Sequence, residues 1–449
     1  MRIPKRPPRD AIAKYLDALF RHETADLKAW PRQAAFLRDT EDAYRHWDKV
    51  RILARAEGLD PEITWGEIVA SRSPRLQPVQ LHGHGNKPLQ YLIPNRLQQE
   101  LMLIDQQLAG QLTTRDEQPL SVRDKERFIV RALHEEAITS SMLEGAATTR
   151  REAKDMLRRQ RKPRNRGEQM VLNNYQAIEF ARDHLDHSLT PELLLELQTI
   201  LTRDTLDRPD EVGRFRRRDD VIHVEDRRDN EIIHTPPDAV ELPQRLERLC
   251  AFANAGNDTR RFIHPVIRAS ILHFQIGFDH PFCDGNGRTA RTLFYWLMLR
   301  HGYWLFEYLP ISRLIYRAPA RYVRAYLYCE TDDFDVTYFL MYTAEVIRKA
   351  REELQTYIEH KMKQSRDAQH IYRDDSRLNH RQREAIRLIT TNPARVLTIA
   401  EHQERHQIVN ATARTDLLKL AEWGYLTRER IGRRFEFLTG PRLIANPAP

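Results

Sequence analysis

Apolar residues recur along most of the chain with the spacing of α-helices rather than that of strands. From Val266 to Phe278 they fall on one face, and from Thr289 to Leu299 they surround almost the whole circumference. A helix with one apolar face packs against a core, whereas a helix that is apolar all round lies inside a domain. The pattern therefore predicts two consecutive helices at the centre of a mainly α-helical domain, joined by residues 279–288.

Capping residues mark the limits of several other helices. We predict helices from Asn95 to about Gly110, from Ser121 to a stop at Gly145, from Thr149 onward, over Gln169–His187 and over Pro191–Thr205. Ser121 and Thr149 each precede an acidic residue by three positions, as in a capping box, and glycine commonly follows a helix end. These signals favour a bundle of helices around the central pair.

One segment departs from the helical pattern. The runs VIHV at 221–224 and EIIHT at 231–235 are rich in β-branched residues and are separated by the polar EDRRDN. Two short runs of this kind with a polar link are typical of a β-hairpin. We therefore predict a small hairpin inserted among the helices.

Length, charge and cysteine usage narrow the function classes. The chain has 449 residues, enough for two or three domains, and its formal charge of +8 favours acidic partners such as nucleic acid or nucleotide phosphates. Its three cysteines include no CxxC pair, so neither a disulfide framework nor a zinc knuckle is predicted. No window approaches the roughly 18 apolar residues of a membrane span, and no apolar signal core follows the first residues. We expect a cytoplasmic protein without a membrane partner.

The link between the two central helices, HPFCDGNGRTAR at 280–291, has the composition of a phosphate site. It opens onto the amino end of the second helix, where unpaired amides and the helix dipole favour an anion. Gly285 and Gly287 allow the backbone around Asn286 to approach a phosphate closely and to adopt positive φ angles. The link is therefore a predicted phosphate cradle without a Walker sequence.

Four other residues of this link supply the groups that a transfer reaction on a polyphosphate needs. Asp284 offers an oxygen ligand for Mg²⁺, and Arg288 and Arg291, three apart on one helix face, can grip successive phosphates. His280 is the residue of the link whose pKa suits proton removal from a hydroxyl near neutral pH. A single histidine or a GNG turn is more often structural, but the ordered set predicts phosphoryl or nucleotidyl transfer.

The ordered set resembles the Fic-family active-site motif, HxFx(D/E)GNGRxxR, at every defined position. The resemblance implies a Fic-type helical bundle over about residues 98–349 that transfers AMP from Mg-ATP to a Tyr, Ser or Thr hydroxyl of a protein. It implies His280 as the base and Asp284 as the Mg²⁺ ligand. The implied ATP-binding residues are Gly285, Asn286, Gly287, Arg288 and Arg291. A phosphate-transferring branch of the family has lysine in place of Gly287, which favours AMP transfer here.

Two further parts of the site follow from the resemblance. The hairpin corresponds to the family's flap, which would hold the target segment beside His280. The flap residues of the first run are Val221, Ile222, His223 and Val224. For adenine, aromatic residues at 322, 326, 334 and 338 are candidates, with burial in the core as the alternative interpretation.

The segment SSMLEG at 140–145 predicts regulation of the same site. Ser140, Glu144 and Gly145 match the family's inhibitory pattern, [S/T]xxxE[G/N], in which the glutamate pairs with the second arginine of the motif. The resemblance thus implies an inhibitory helix near 133–145 and a Glu144–Arg291 pair. A glutamate at a helix carboxyl end is mildly disfavoured by the dipole, so a cationic partner makes physical sense. The alternative is a solvated glutamate at a helix end.

The sequence predicts four segments. An N-terminal helical and extended region covers 1–97, the core covers 98–349, a charged helical connector covers 350–377, and a separate domain covers 378–449. Three helices, one of them capped by Asn410 and ended by Gly424, precede two β-rich runs, so the segment resembles a winged helix-turn-helix. It contains 12 Lys or Arg against 7 Asp or Glu, a balance of +5. DNA binding and packing on the core or on a second subunit are both open, since Arg414 is the single basic residue near the start of the recognition helix.

Two functions are therefore compared. One is an autoinhibited protein adenylyltransferase that modifies a protein target or itself, and the other is a DNA-binding regulator whose Fic core senses nucleotide or removes AMP. The intact motif favours the first. The sequence leaves open the target, the trigger and whether the chain forms a homodimer.

Overall fold

A computed structural model describes residues 2–21, 30–108, 122–226, 230–256, 262–373, 375–391, 395–431 and 434–443, without the side chains of 30, 122–128, 361–373, 391 and 431. The described residues divide into two compact units. The larger unit ends at Arg351, and the smaller unit comprises the residues from Glu352 onward together with 122–124. The larger unit therefore takes in both the predicted N-terminal region and the predicted core. No helix of the described residues combines the length and apolar composition needed to cross a membrane.

The larger unit is mainly α-helical, as predicted. Its helices are α1 Ala11–Phe20, α2 Trp30–Asp42, α3 Trp47–Ala56, α4 Pro61–Arg72, α5 Asn95–Leu108, α6 Val122–Leu143, α7 Arg150–Arg159, α8 Arg166–Asp183, α9 Pro191–Thr202, α10 Leu242–Asn254, α11 Pro265–Asp279, α12 Asn286–Arg300, α13 Ile311–Arg317, α14 Pro319–Thr331 and the beginning of α15 Thr337–Arg373. The capping box predicted at Thr149 is present, with Thr149 and Glu152 bonded to each other's backbone amides. The one predicted at Ser121 lies outside the described residues.

The two central helices predicted from the apolar pattern are α11 and α12. The side chain of His264 accepts a hydrogen bond from the amide of Val266 at 3.2 Å, and Pro265 occupies the first turn, so α11 begins with a satisfied amino end. Most residues of both helices are buried. The second helix starts at Asn286, three residues earlier than the apolar pattern indicated, because polar residues of the motif form its first turn.

Two antiparallel hairpins accompany the helices. β1 Gln77–His82 pairs with β2 Pro88–Tyr91, and β3 Val224–Glu225 pairs with β4 Ile232–His234. The second hairpin confirms the predicted position but is shorter than predicted, because residues 221–223 precede the strand. Asp220 accepts hydrogen bonds from the side chain of Arg214 and the amide of Arg217, which fixes a turn just before this segment. The hairpin tip at 227–229 lies outside the described residues.

The smaller unit contains the three helices and two long strands predicted for it. Its elements are α16 His380–Thr391, β5 Leu397–Thr398, α17 Ile399–His406, α18 Asn410–Glu422, β6 Leu426–Ile431 and β7 Arg434–Thr439, with the strands in the order β5-β7-β6. Leu417, Leu420 and Phe437 lie in its apolar core.

Two details of this unit bear on its predicted recognition helix. Asn410 is the first residue of α18 rather than its cap, since Val409 occupies the capping position. The Asn410 side chain instead donates from Nδ2 to Oε1 of Gln403 at 3.2 Å. The Arg414 guanidinium lies 5.8 Å from the centre of the Phe435 ring of β7. Gly424 ends the helix as predicted, with φ of 78°. DNA binding by this unit stays a prediction.

Candidate active site

The link between α11 and α12 holds His280 in a defined orientation. His280 follows the last residue of α11 in a left-handed conformation, with φ of 42°, and its amide donates to the carbonyl of Ile276 at 3.0 Å. Its Nδ1 atom contacts the carbonyl oxygen of Gly277. Because a carbonyl only accepts, Nδ1 carries the proton and Nε2 keeps its lone pair. The ring is therefore arranged as a base at Nε2.

The surroundings of His280 keep its imidazole neutral. Burial, followed by the nearby charge of His234, lowers the pKa of His280 to about 4, against weaker opposing effects of Gly277 and Glu144. The ring centres of His234 and His280 are 6.1 Å apart. A neutral imidazole at neutral pH is the form that accepts a proton.

Asp284 occupies the entrance to the first turn of α12. Its Oδ1 atom accepts the Gly285 amide at 2.5 Å, its Oδ2 atom lies 3.3 Å from Nη2 of Arg288, and 40% of its side chain is exposed. Mg²⁺ in phosphate sites commonly takes one or two carboxylates, with water and phosphate oxygens as its other ligands. This exposed carboxylate beside the helix start fits such an ion.

Asn286 and Phe282 give the link its shape. The Asn286 side chain donates to the Phe282 carbonyl at 2.8 Å and accepts from the Phe282 amide at 3.0 Å. Phe282 itself is fully buried, and its ring stacks on that of Phe215 with centres 5.4 Å apart. The Asn286 side chain thus closes the loop on itself, and its backbone amide at the helix start has no acceptor within the helix.

Arg288 is buried beneath the protein surface. Its side chain is fully buried, and its Nη1 atom donates to the carbonyl of Leu201 at the end of α9 at 2.7 Å. The Nε atom of Arg288 has no hydrogen-bond partner among the described residues, and the same is true of Nη1 of Arg291. Two buried cationic donors without acceptors at the start of one helix are suited to an anion. The phosphate role of Arg288 stays a prediction.

Arg291 makes the contacts expected for the inhibitory segment. Its Nη2 atom is 2.8 Å from Oε1 of Glu144, its Nε atom donates to the Ser140 hydroxyl at 2.8 Å, and Nη2 also approaches the Ser140 carbonyl at 3.1 Å. Arg291 is 1% exposed and Glu144 is 27% exposed, so the pair is partly shielded from water. The structure thus brings Arg291 against Ser140 and Glu144, which precede it by 151 and 147 positions.

The end of α6 fixes the position of Glu144. Gly145 has φ of 94°, its amide donates to Met142, and the amide of Ala146 donates to Ser141, both at 3.0 Å. This double pattern is the Schellman arrangement, which ends a helix at a left-handed glycine. Gly145 thus sets the direction in which the preceding Glu144 leaves the helix.

Gly287 provides the space for the Glu144 carboxylate. A Cβ atom at Gly287 would lie 2.1 Å from Oε1 of Glu144 and 3.1 Å from Nη1 of Arg291. Any larger residue at this position, including lysine, would displace the carboxylate. The glycine of the motif and the glutamate of α6 therefore fit each other sterically.

Comparison with known proteins supports this assignment of the motif. Residues 188–298 match the model of the Fic/DOC family. This chain carries a Fic domain. The protein adenylyltransferase Fic of Drosophila virilis is 31% identical to it over 135 residues, which are 29% of this chain and 26% of that protein. The protein of the same name from Drosophila mojavensis is 31% identical over 135 residues, 29% of this chain and 25% of that protein. The chain thus spans about a quarter of the length of these relatives.

Solved structures of Fic proteins align over more of the chain. A Fic family protein from Desulfovibrio desulfuricans G20 aligns with a TM-score of 0.48 and 23% identity over 77% of this chain and 95% of that one. Fic-1 from C. elegans aligns with a TM-score of 0.48 and 19% identity over 81% of this chain and 90% of that one. The range matched by the Fic/DOC model contains the motif and the hairpin, whereas Ser140 and Glu144 precede it.

Arg216 and His234, which the sequence did not predict as site residues, bond to the backbone at and just before His280. Arg216 is buried and bonds to the carbonyls of His280 at 2.7 Å and Asp279 at 3.2 Å, and its amide donates to the Pro281 carbonyl at 2.8 Å. His234, in β4, donates from Nε2 to the Phe278 carbonyl at 2.8 Å. Arg216 precedes the hairpin and His234 lies within it. Their contacts depend on how the hairpin segment packs against the end of α11, which the spacing of residues in the sequence does not show.

The four candidate adenine residues separate into two groups by burial. Phe334 and Tyr338 are 5% exposed and belong to the core. Tyr322 and Tyr326 are only partly buried. The ring of Tyr326 stacks on Phe274 with centres 5.0 Å apart. The core interpretation is therefore confirmed for the first two.

Proposed function

We propose that the chain is an autoinhibited protein adenylyltransferase that transfers AMP from Mg-ATP to a Tyr, Ser or Thr hydroxyl of a protein target or of itself. The observation that carries the proposal is the orientation of His280. Its Nδ1 atom is held by the Gly277 carbonyl, and its unprotonated Nε2 atom is free to act as a base beside an anion-binding helix start. The names of the Drosophila relatives agree with this chemistry.

The proposed reaction transfers one proton, forms one bond to phosphorus and breaks another. Nε2 of His280 takes the proton of the acceptor hydroxyl as its oxygen forms a bond to the α-phosphorus of ATP. The bond from that phosphorus to the bridging oxygen breaks, and pyrophosphate leaves with the electron pair. The result is AMP esterified to the side chain and an imidazolium that returns its proton to water.

The start of α12 would hold the phosphates for this step. The amides of Asn286 and Gly287 belong to its first turn and have no acceptor within the helix. The unpartnered buried donors of Arg288 and Arg291 are the cationic groups nearest to it. Asp284 would hold Mg²⁺, which when bound offsets the negative charge of the polyphosphate. Positioning and charge compensation are the main contributions to phosphoryl-type transfer.

The Glu144–Arg291 pair would restrain the activity. While Glu144 occupies Arg291, the guanidinium cannot bind the terminal phosphate, and the carboxylate adds a negative charge over Gly287 where phosphates would lie. ATP then binds weakly or with its α-phosphate out of line with the attacking hydroxyl. Inhibition is thus geometric and electrostatic, and it is removed when α6 releases the pair.

The hairpin would position the acceptor. A two-stranded hairpin has an unpaired edge on each strand, so a target segment can add to it through main-chain hydrogen bonds. The strand β4 carries His234, whose ring lies 6.1 Å from that of His280. A segment docked on the hairpin is thereby brought close to the base without a requirement for particular side chains.

Labelling with two forms of ATP tests the proposal. The full chain with Glu144→Gly is incubated with Mg²⁺ and ATP labelled at either the α- or the γ-phosphate. We expect label on protein from the α-position only, because AMP transfer leaves the γ-phosphate in pyrophosphate. Protein labelled from the γ-position would indicate phosphate transfer, and no label from either would contradict the proposed enzyme.

A further inference from the structure

Three potential metal ligands converge behind the hairpin of the larger unit. They are His84 in the loop between β1 and β2, His234 in β4, and Glu330 near the end of α14. One ligand atom from each lies within 4.8 Å of the others. Nδ1 of His234 and Oε2 of Glu330 are 2.9 Å apart, and these two side chains are only 7% and 15% exposed.

The His234 imidazole has the outer contact that histidine metal ligands usually have. Nε2 of His234 donates to the Phe278 carbonyl at 2.8 Å, and Nδ1 donates to Oε2 of Glu330 at 2.9 Å, so both ring nitrogens carry protons when no metal is bound. A cation bound between the two side chains would take the place of the Nδ1 proton. A ring nitrogen bonded to a carbonyl, with the other directed at the metal, is the common outer arrangement of histidine sites.

The spacing suits a small divalent ion after modest movement. Ligand atoms around a tetrahedral Zn²⁺ at bond lengths near 2.0–2.1 Å are about 3.3 Å apart. The His234–Glu330 pair at 2.9 Å would open by a few tenths of an ångström. His84 is exposed, so its side chain can turn toward the pair, and water can complete the coordination.

A second group of potential metal ligands within the described residues differs from the group at His84. Glu211, Asp220 and Cys283 also lie within reach of one another. There, however, Arg208 contacts both carboxylates, and Arg214 pairs with Asp220 at 2.6 Å. Guanidinium groups already compensate this cluster, so it offers a poor site for a cation. The cluster at His84 presents two imidazoles and one carboxylate instead, and the Nδ1 proton of His234 would be released when a metal binds.

We infer that His84, His234 and Glu330 bind a transition-metal cation of the Zn²⁺ type, with water as a further ligand. Nitrogen and carboxylate ligands in this ratio favour Zn²⁺ over Mg²⁺, which prefers oxygen. The ion would join the β1–β2 loop, the hairpin and α14. It would also sit beside His234, whose ring is 6.1 Å from that of His280. The site does not depend on the proposed transferase activity.

Metal binding by the full chain tests the site directly. Protein freed of metal with a chelator is titrated with Zn²⁺ against a chromophoric competitor, with excess Mg²⁺ present to occupy oxygen sites such as Asp284. We expect one Zn²⁺ per chain whose affinity falls at least about tenfold in His84→Ala and in Glu330→Gln. His223→Ala removes an exposed histidine near the hairpin and serves as the matched control, with unchanged affinity.

Two further readouts separate a built site from adventitious binding. Co²⁺ in place of Zn²⁺ should give the visible absorption of a four- or five-coordinate ion in the unmodified chain and lose it in His84→Ala. The melting temperature should rise with Zn²⁺ concentration, and His84→Ala should abolish this rise, since ligands stabilise the state that binds them. Equal Zn²⁺ affinity in the unmodified chain, His84→Ala and Glu330→Gln would overturn the inference and leave His234 and Glu330 as a metal-free hydrogen-bonded pair.

Discussion

His280 combines two properties that a base requires, a fixed ring and an unprotonated nitrogen. The carbonyl of Gly277 fixes its tautomer, and Arg216 holds the backbone on either side of it through three carbonyl and amide contacts. Neither contact involves the nitrogen that would face a substrate. At the scale of one residue, the ring is therefore oriented before any substrate arrives.

His280→Ala in the Glu144→Gly background should lower AMP transfer by roughly 10²–10⁴-fold, the usual contribution of a general base. ATP affinity should stay within about twofold, because the phosphates are held at the start of α12 and not by the imidazole. Labelling rates and calorimetric ATP binding measure the two quantities. A rate equal to that of the parent would remove His280 from the mechanism.

The pH dependence of transfer follows from the pKa of His280. Burial and the neighbouring His234 lower this pKa to about 4, and Arg216 contributes to the lowering. The base is active when unprotonated, so transfer should be constant from pH 8 to about 5.5 and fall only below pH 5. Glu144 opposes the lowering, so its removal cannot move this limb upward. A rate in Glu144→Gly that halves near pH 6.5, the ordinary value for histidine, would contradict the buried environment.

The positions of the motif residues in the fold were predictable from the sequence, but the burial and hydrogen-bond partners of some of them were not. Apolar periodicity and the HPFCDGNGRTAR pattern located His280 and Asp284 correctly on the link. The burial of Arg288 depends on a carbonyl 87 positions earlier, at Leu201. The bond of His234 to Glu330 spans 96 positions. Contacts over such separations arise from packing of whole helices, which no local spacing encodes.

At the scale of elements, the conformation of the carboxyl end of α6 determines where the Glu144 side chain lies. A left-handed residue without a Cβ atom is needed at Gly145, since an alanine at φ of 94° is strained by roughly 1–2 kcal/mol. That strain would favour unwinding of the last turn and movement of Glu144 away from Arg291.

Gly145→Ala should therefore raise α-phosphate labelling, though by less than Glu144→Gly does. Gly58→Ala is the matched control, because Gly58 has φ of 72°, has open space around its Cβ position and follows α3 away from the motif. It should cost similar stability and leave labelling unchanged. If both alanine variants label equally, the end of α6 has no specific role in restraint.

The hairpin is the second element with a specific role. Val224→Pro removes an amide from β3 and disrupts main-chain pairing at the Val224–His234 position. Transfer to a protein acceptor should fall at least about tenfold while ATP affinity changes little. Val224→Ala keeps the amide and should lose far less. Parallel loss of acceptor labelling and ATP affinity in the proline variant would show that the hairpin supports the fold instead.

The extent of this hairpin shows where β-propensity alone misleads. Val221 and Ile222 are β-branched, yet Val221 is 78% exposed and precedes the strand, because the turn fixed by Asp220 delays pairing until Val224. Side-chain bonds of aspartate compete with strand formation in this way. Propensity located the hairpin, and the local hydrogen bonds determined its length.

At the scale of the whole molecule, the mainly helical class and the existence of a separate carboxyl-terminal unit were predictable, because both rest on patterns repeated over many residues. The smaller unit has the expected order of helices and strands, with β5 as an additional short strand. The grouping of the N-terminal region, predicted as 1–97, with the larger unit was not predictable. It depends on contacts such as the 3.0 Å bond from the Leu92 amide to the Thr337 hydroxyl, 245 positions apart.

The restraint of the active site by Glu144 is the central claim, and self-labelling from α-labelled ATP tests it most directly. Glu144→Gly should label at least about tenfold faster than the unmodified chain, which corresponds to about 1.4 kcal/mol of transition-state stabilisation. Combining it with Arg291→Ala should abolish the gain, since the freed guanidinium is what the activated enzyme uses. The claim is contradicted if folded Glu144→Gly, with ATP affinity at least equal to that of the unmodified chain, labels no faster.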